Sequence, residues 1–198
     1  MPKRINDPRP GASPERRRFL HRAGAVCGTL GLMAAFPAPA TVIAPPRRVQ
    51  FVHTHTGETL TAEYFDGSGY SEVCLSAVDH LLRDFRTGES HRIDPRLLDI
   101  LYDLQNLADR HSTFEVISGF RSPATNTMLH RSSSGVAEHS QHLLGKAIDV
   151  RLTGYSTHRL GEYARSLARG GVGFYASSDF IHVDTDPFAP GDFGIRAL

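Results

Sequence analysis

The sequence predicts an α+β domain, with one small antiparallel sheet and helices packed mainly to one side of it. Short alternating or apolar runs recur at Val49–Phe65, Phe114–Ser118, Ala147–Leu152, Val172–Tyr175 and Phe180–Asp184, the period-2 signature of strands. Elsewhere the apolar residues repeat every three or four positions, as one face of a helix does. The helices fall before and between the strands, a grouping that indicates α+β.

Each element has its own signal. Val49–Phe65 alternates on both sides of Thr56-Gly57-Glu58 and reads as a hairpin, with Leu60, Ala62 and Tyr64 on one face. His53 and His55 share a strand face, and a surface position near the turn suits them better than metal binding. Asp66-Gly67-Ser68-Gly69 is a turn. Cys74, Leu75, Val78, Leu81, Leu82 and Phe85 stripe a first helix that ends by Gly88. Asp94-Pro95 reads as N-cap and first-turn proline for a second helix, whose buried stripe is Leu97, Leu98, Leu101, Leu104 and Ala108. After the strand ending at Ser118, Pro123–Arg131 is a brief helix and Ser132-Ser133-Ser134-Gly135 a flexible loop. Ser156 or Thr157 caps the last helix, which Gly170-Gly171 terminates. The tail from Pro187 is turn-rich.

The domain so outlined is 49–198, preceded by a leader (1–40) and a proline-containing linker (41–48). The formal charge of +1 over 198 residues conceals an asymmetry: +5 up to Ala40 and −4 from Thr41 onward. A mildly acidic domain argues against a nucleic-acid partner. The basic excess sits in Arg16-Arg17-Arg18-Phe19-Leu20, ahead of an uncharged apolar core from Ala23 to Phe36. That core is too short to span a bilayer comfortably. With Ala38-Pro39-Ala40 behind it, the leader reads as a cleaved signal peptide. Its Arg-Arg-x-Phe-Leu pattern resembles a twin-arginine signal, so the expected location is the periplasm, with no stable membrane insertion. Of the two cysteines, only Cys74 would remain, which excludes a disulfide framework.

Two stretches carry the chemistry: Ser140 to Asp149 and Asp179 to Asp184. His142, Asp149 and His182 offer two imidazole nitrogens and a carboxylate oxygen. That set suits a borderline-soft divalent ion such as zinc and leaves a fourth position for water. Asp149 and His182 lie on short strands that can sit side by side, ~5 Å apart, and Gly145 lets the chain turn back from His142. Asp179, three residues before His182, is a carboxylate that could take a proton from the water. Asp184, two residues after His182 on the same strand face, either orients an imidazole or is itself the base. Ser140 stands behind the ligands in a supporting position.

Ser140-x-His142-x-x-Gly145-x-Ala147-x-Asp149 followed by Asp179-x-x-His182 resembles the zinc D-alanyl-D-alanine peptidases, the clan of VanX and the zinc D,D-carboxypeptidases. Ser118-Gly119-Phe120-Arg121-Ser122, Gly170 to Tyr175, His182-Val183-Asp184-Thr185 and His55-Thr56-Gly57-Glu58 are similar to its murein endopeptidase K branch. The likeness covers roughly residues 49 to 186. It implies one zinc per chain on a small sheet, peptidoglycan stem peptides as substrate, and hydrolysis of peptide cross-links by a metal-activated water. It also implies that Arg121 faces the metal, to hold a substrate carboxylate or an oxyanion; on its own residues Arg121 reads as a cap or salt bridge. The family pattern selects His142 over His139, three residues earlier. One departure is visible: lysostaphin-like relatives use a His-x-His pair, whereas Phe180 and Ile181 precede His182 here. The competing reading is a non-catalytic, zinc-containing domain that binds peptidoglycan or regulates. D,D and L,D bond specificity are not separable at this level, nor are endopeptidase and carboxypeptidase action.

Overall fold

The computed structural model describes residues 44–109, 111–132 and 137–186, all within the compact unit Thr41–Leu198. The leader with its arginine pair, residues Ser133 to Gly135 of the serine-rich loop, and the tail from Pro187 lie outside the described residues. Among those described, no helix is long and apolar enough to cross a membrane.

The alternating run predicted as a hairpin forms β1 (Arg47–His53) and β2 (Thr59–Phe65), paired antiparallel. β1 thus begins at Arg47, inside the stretch read as linker. Helix α1 (Glu72–Leu81) is capped by Ser71, whose hydroxyl accepts the Cys74 N–H. Helix α2 (Pro95–Leu107) starts on Asp94, whose carboxylate accepts from Arg96 N–H, with proline in the first turn; both satisfy donors that a helix start leaves unpaired. β3 (Thr113–Ser118), α3 (Pro123–Ser132), β4 (Ala147–Leu152), α4 (Thr157–Leu167), β5 (Val172–Tyr175) and β6 (Phe180–Asp184) complete the domain.

The six strands run in the order β2-β1-β3-β4-β6-β5. All neighbours are antiparallel except β1 and β3. That parallel pair departs from the all-antiparallel expectation. The chain leaves β2 through α1 and α2 before it returns beside β1, and a crossover of this length is what parallel neighbours require. Alternation along a strand has period two and shows neither strand order nor direction.

One face of the sheet is covered. Phe51, Phe114, Val116, Ile148, Val150, Ile181 and Val183 are at most 1% exposed. They share a core with Val78 of α1, with Leu97 and Leu101 of α2, and with Leu160 of α4. Helix α3 contributes nothing to that core, its buried residues being Thr125 and Asn126. The opposite face of β3, β4 and β6 carries Glu115, Asp149, Arg151, His182 and Asp184, and this is where the predicted ligands meet.

Two local readings change. Helix α4 is ended by Ala168 in the left-handed region (φ 50°), not by the glycine pair. His53 is fully buried rather than on the surface, edge-on to Phe85 at 5.6 Å, with Nδ1 accepting the His55 N–H at 3.2 Å. The hairpin's last core-facing position continues the Val49–Phe51 stripe, so the same alternation that makes the strand buries His53.

Candidate metal centre

β4 points Ile148, Val150 and Leu152 into the core and therefore Asp149 to the open face. β6 does the same with Ile181 and Val183, leaving His182 outward. Their register pairs Asp149 with His182 directly, which brings a carboxylate and an imidazole side by side. His142 arrives from a 3₁₀ turn, Gln141–Leu144, whose N-cap is Ser140; the Ser140 hydroxyl accepts the His142 N–H at 3.4 Å. Gly145 ends the turn at φ 63°, and a Cβ there would lie 2.2 Å from the Arg92 carbonyl oxygen. Only glycine fits both the backbone and the space.

The three side chains converge. His182 Nδ1 lies 2.9 Å from Asp149 Oδ1, and His142 Nε2 lies 3.2 Å from both Asp149 Oδ1 and His182 Nδ1. Each ring is held from behind. His142 Nδ1–H donates to the Gly119 carbonyl at 2.6 Å, and His182 Nε2–H donates to Asp184 Oδ2 at 3.1 Å. These bonds turn the other nitrogen of each ring inward, as outer partners of metal-ligating histidines do. Arg121 donates through Nη2 to Asp149 Oδ2 and through Nε to Ser118 Oγ at 2.9 Å, so Asp149 Oδ1 faces the two rings.

His142 and Asp149 are 1% and 3% exposed. Burial would raise the Asp149 carboxyl, but the His142 and His182 partners and the Arg121 charge outweigh it and hold Asp149 well below the ordinary carboxylate range. Burial lowers the His142 imidazole. It opposes protonation of His182 too, yet the hydrogen bonds to Asp149 and Asp184 prevail and lift that ring to about 9. A buried carboxylate flanked by two rings thus attracts positive charge. Two inward nitrogens and one oxygen, all within 4.8 Å of one another, fit a divalent metal ion. Among the described residues no fourth His, Cys, Asp or Glu joins the group, as in sites that keep one position open.

The other predicted residues fall in different places. Asp184 lies behind His182: besides accepting its Nε2–H it accepts the Gly171 N–H at 2.8 Å and the Asp186 N–H at 3.0 Å through Oδ1. Asp179 forms no hydrogen bond or ion pair with the three ligand residues. It sits at the end of the β5–β6 turn with φ 52°, its side chain 67% exposed and 3.8 Å from Arg151 Nη1. Asp179 precedes β6, and the turn bends it towards Arg151, which shares the open face with Asp149. His139 is exposed and outside the group, as is His53 from its buried place on β1.

Three supports are missing from the sequence reading. The Gly119 carbonyl carries no side-chain signal. Gly171 serves Asp184: a Cβ there would lie 2.3 Å from Asp184 Oδ2. A glycine pair with no helix end to make is the cue that could have shown it. Asp84, 1% exposed, pins the segment that supplies Gly119 and Arg121. Its Oδ2 accepts the Ser122 N–H at 2.9 Å and hydroxyl at 2.7 Å, and its Oδ1 accepts the Arg86 N–H at 3.0 Å.

Residues 41–189 match the family model described as peptidoglycan L,D-endopeptidase MepK. The chain is 46% identical over 143 residues to a probable peptidoglycan L,D-endopeptidase MepK of Haemophilus influenzae, covering 72% of this chain and 77% of that protein. It is 40% identical over 173 residues to the peptidoglycan L,D-endopeptidase MepK of Escherichia coli K12, covering 87% of this chain and 94% of that one. No solved structure matches it. A paired Asp149 and His182, a turn that brings in His142, and a family match over most of the chain agree: the chain belongs to the MepK family of peptidoglycan endopeptidases.

Proposed function

We propose that this chain is a zinc-dependent peptidoglycan L,D-endopeptidase that hydrolyses peptide cross-links of the cell wall after export to the periplasm. The convergence of His142, Asp149 and His182, each ring turned inward by an outer partner, is the observation that carries this reading. The names of the relatives supply the L,D bond type. The Arg16-Arg17 leader supplies the route, a twin-arginine-type signal cleaved near Ala40.

The three residues would hold one zinc ion per chain. Bound there, the ion supplies Lewis acidity, activating water and polarising the scissile carbonyl. Gly119 and Asp184 fix the tautomers of the two rings. Arg121 fixes Asp149, and its remaining N–H groups can hold a stem-peptide carboxylate or an oxygen gaining negative charge. Asp179, engaged with Arg151, steadies the β5–β6 hairpin, and we assign it no proton transfer. A non-catalytic domain is the weaker reading, because three ligands leave a position that a structural zinc site would close.

The deciding experiment is mass spectrometry of purified muropeptides carrying L,D cross-links, before and after incubation with the zinc-loaded protein. Monomer release from L,D-linked dimers, with D,D-linked dimers left intact, is expected. Cleavage of D,D links alone would overturn the bond assignment. Intact dimers of both kinds, from a protein that binds them, would favour the non-catalytic reading.

A further inference from the structure

We infer that Arg151 and Asp179 form a subsite for a zwitterionic amino-acid head on a substrate side chain, Arg151 taking its carboxylate and Asp179 its ammonium. The inference rests on the peptidase reading above and names a substrate group which that reading leaves unassigned. A stem residue that can be cross-linked carries a second amine on its side chain. Where that amine shares its carbon with a carboxylate, the side chain ends in a zwitterion. A site for such a head needs two opposite charges, close together and not spent on each other.

Arg151 follows Asp149 on the open face of β4, ~6.6 Å further along the strand, within reach of a short aliphatic arm from the metal centre. β3 pairs Glu115 with it directly. Arg151 Nε donates to Glu115 Oε2 at 2.7 Å, and Glu115 Oε1 accepts the Thr153 hydroxyl at 3.0 Å. The guanidinium is thus anchored through one nitrogen, and among the described residues its two terminal nitrogens make no hydrogen bond. Asp179 Oδ2 stands 3.8 Å from Nη1, beyond hydrogen-bond length. Phe180, on the same face as His182, stacks on Tyr175 at 4.6 Å and offers the arm an apolar surface.

A pair kept for stability would close, as Arg169 and Asp103 do at 2.6 Å. Asp179 instead holds a left-handed backbone, φ 52°, which costs a non-glycine residue more than an open, exposed pair returns. A zwitterion answers both charges at once. Its carboxylate meets the fork of terminal N–H groups, its ammonium meets Asp179, and it brings no net charge. A carboxylate alone would face the acids Glu115 and Asp179, and an ammonium alone would face the guanidinium, so the cluster selects the complete head.

The test pairs changes in the substrate with changes in the zinc-loaded full chain. L,D-linked muropeptide dimers are prepared with the head free, with its carboxylate amidated, and with its amine acetylated. Amidation should raise the wild-type KM roughly tenfold, the loss of one charge-assisted contact, and acetylation up to roughly fivefold, as suits the more exposed Asp179. In both cases kcat should stay within about threefold, because the head is bound alike before and during reaction. Arg151→Met should give the free-head dimer the KM of the amidated one and abolish discrimination between them, with bound metal unchanged. Asp179→Asn should do the same for the acetylated dimer only. Equal wild-type KM for all three dimers overturns the inference and leaves the peptidase reading intact. So does discrimination that survives both substitutions, or a loss confined to kcat or matched by a loss of metal. A wild type that leaves every dimer uncut sinks the peptidase reading and this one with it.

Discussion

The two faces of this sheet are built from the same strands and obey opposite rules. On the helix-covered face, Ile148, Val150, Ile181 and Val183 are essentially fully buried, and each contributes about 1.5–3 kcal/mol by leaving water. Volume and hydrophobicity are what that face needs, and similar side chains can be exchanged at modest cost. On the other face, Asp149, His142, His182 and Arg121 are also largely buried, yet each is tolerated only because its neighbours neutralise it. Burying an uncompensated charge costs several kcal/mol, so no member can change alone without stranding another. Folding information and chemical information thus alternate residue by residue along β4 and β6.

The sharpest way to break that comparison is to change two consecutive residues of β6. His182→Ala should leave a folded protein with no bound metal and turnover at background, read by metal analysis beside a melting curve. Ile181→Ala should cost about 2–5 kcal/mol of stability, while the folded fraction keeps its metal and its kcat. Full metal content in His182→Ala would remove His182 from the site.

Gly171→Ala tests whether the open face depends on backbone clearance as well as on charges. The new Cβ would fall 2.3 Å from Asp184 Oδ2, so Asp184 must withdraw from His182 and from the Gly171 N–H. Metal affinity should drop roughly 10–100-fold, the usual cost of losing an orienting partner, with little change in helix content. Unchanged affinity by competition with a chelator would show that His182 does not need Asp184.

Much of this was readable in the sequence, and the division follows the two faces. Alternation and three-to-four spacing revealed the strands and helices. Asp94-Pro95 and Ser156 marked helix starts because capping is local chemistry. His142, Asp149 and His182 stood out because ligand residue types are rare in combination. What escaped was long-range or without a side chain: the parallel β1–β3 pair, the Gly119 carbonyl, and the burial of His53. Gly170-Gly171 looked like a helix stop because glycine is common there, whereas Ala168 takes the left-handed turn and the pair makes room for Asp184.

Asp84 extends the same logic behind the site. Burial would raise its carboxyl, but hydrogen bonds from Thr125, Ser122 and Arg86 prevail and hold it at about 2. An Asp in the unfolded chain titrates near ~3.9, so the folded value is depressed. The stability it contributes is present above pH ~4 and lost as pH falls through about 2. Asp84→Ala should destabilise by about 2–3 kcal/mol at neutral pH by stranding the Ser122 donors. Its Tm should also fall less than that of the wild type between pH 4 and pH 2. Parallel acid profiles for the two proteins would mean that Asp84 does not couple stability to pH.

The smallest effect is expected at Asp179, the candidate base that lies at the hairpin turn beside Arg151. Read in the chain, a carboxylate three residues before a ligand histidine looks like a base, and its loss would slow turnover roughly 10²–10⁴-fold. A base must come within about 2.6–3.2 Å of the proton it takes, or reach it through one water. In the structure Asp179 is exposed at the hairpin turn and makes its ion pair, at 3.8 Å, with Arg151, which Glu115 also holds at 2.7 Å. An exposed pair of this kind is worth ~1 kcal/mol or less. Asp179→Asn should therefore change kcat by less than about threefold and stability by about 0.5 kcal/mol. Asp184→Asn, which weakens the hold on His182, should instead shed metal. A hundredfold loss of kcat in Asp179→Asn with metal retained would return the base to Asp179, and would require the hairpin turn to close over the centre when substrate binds.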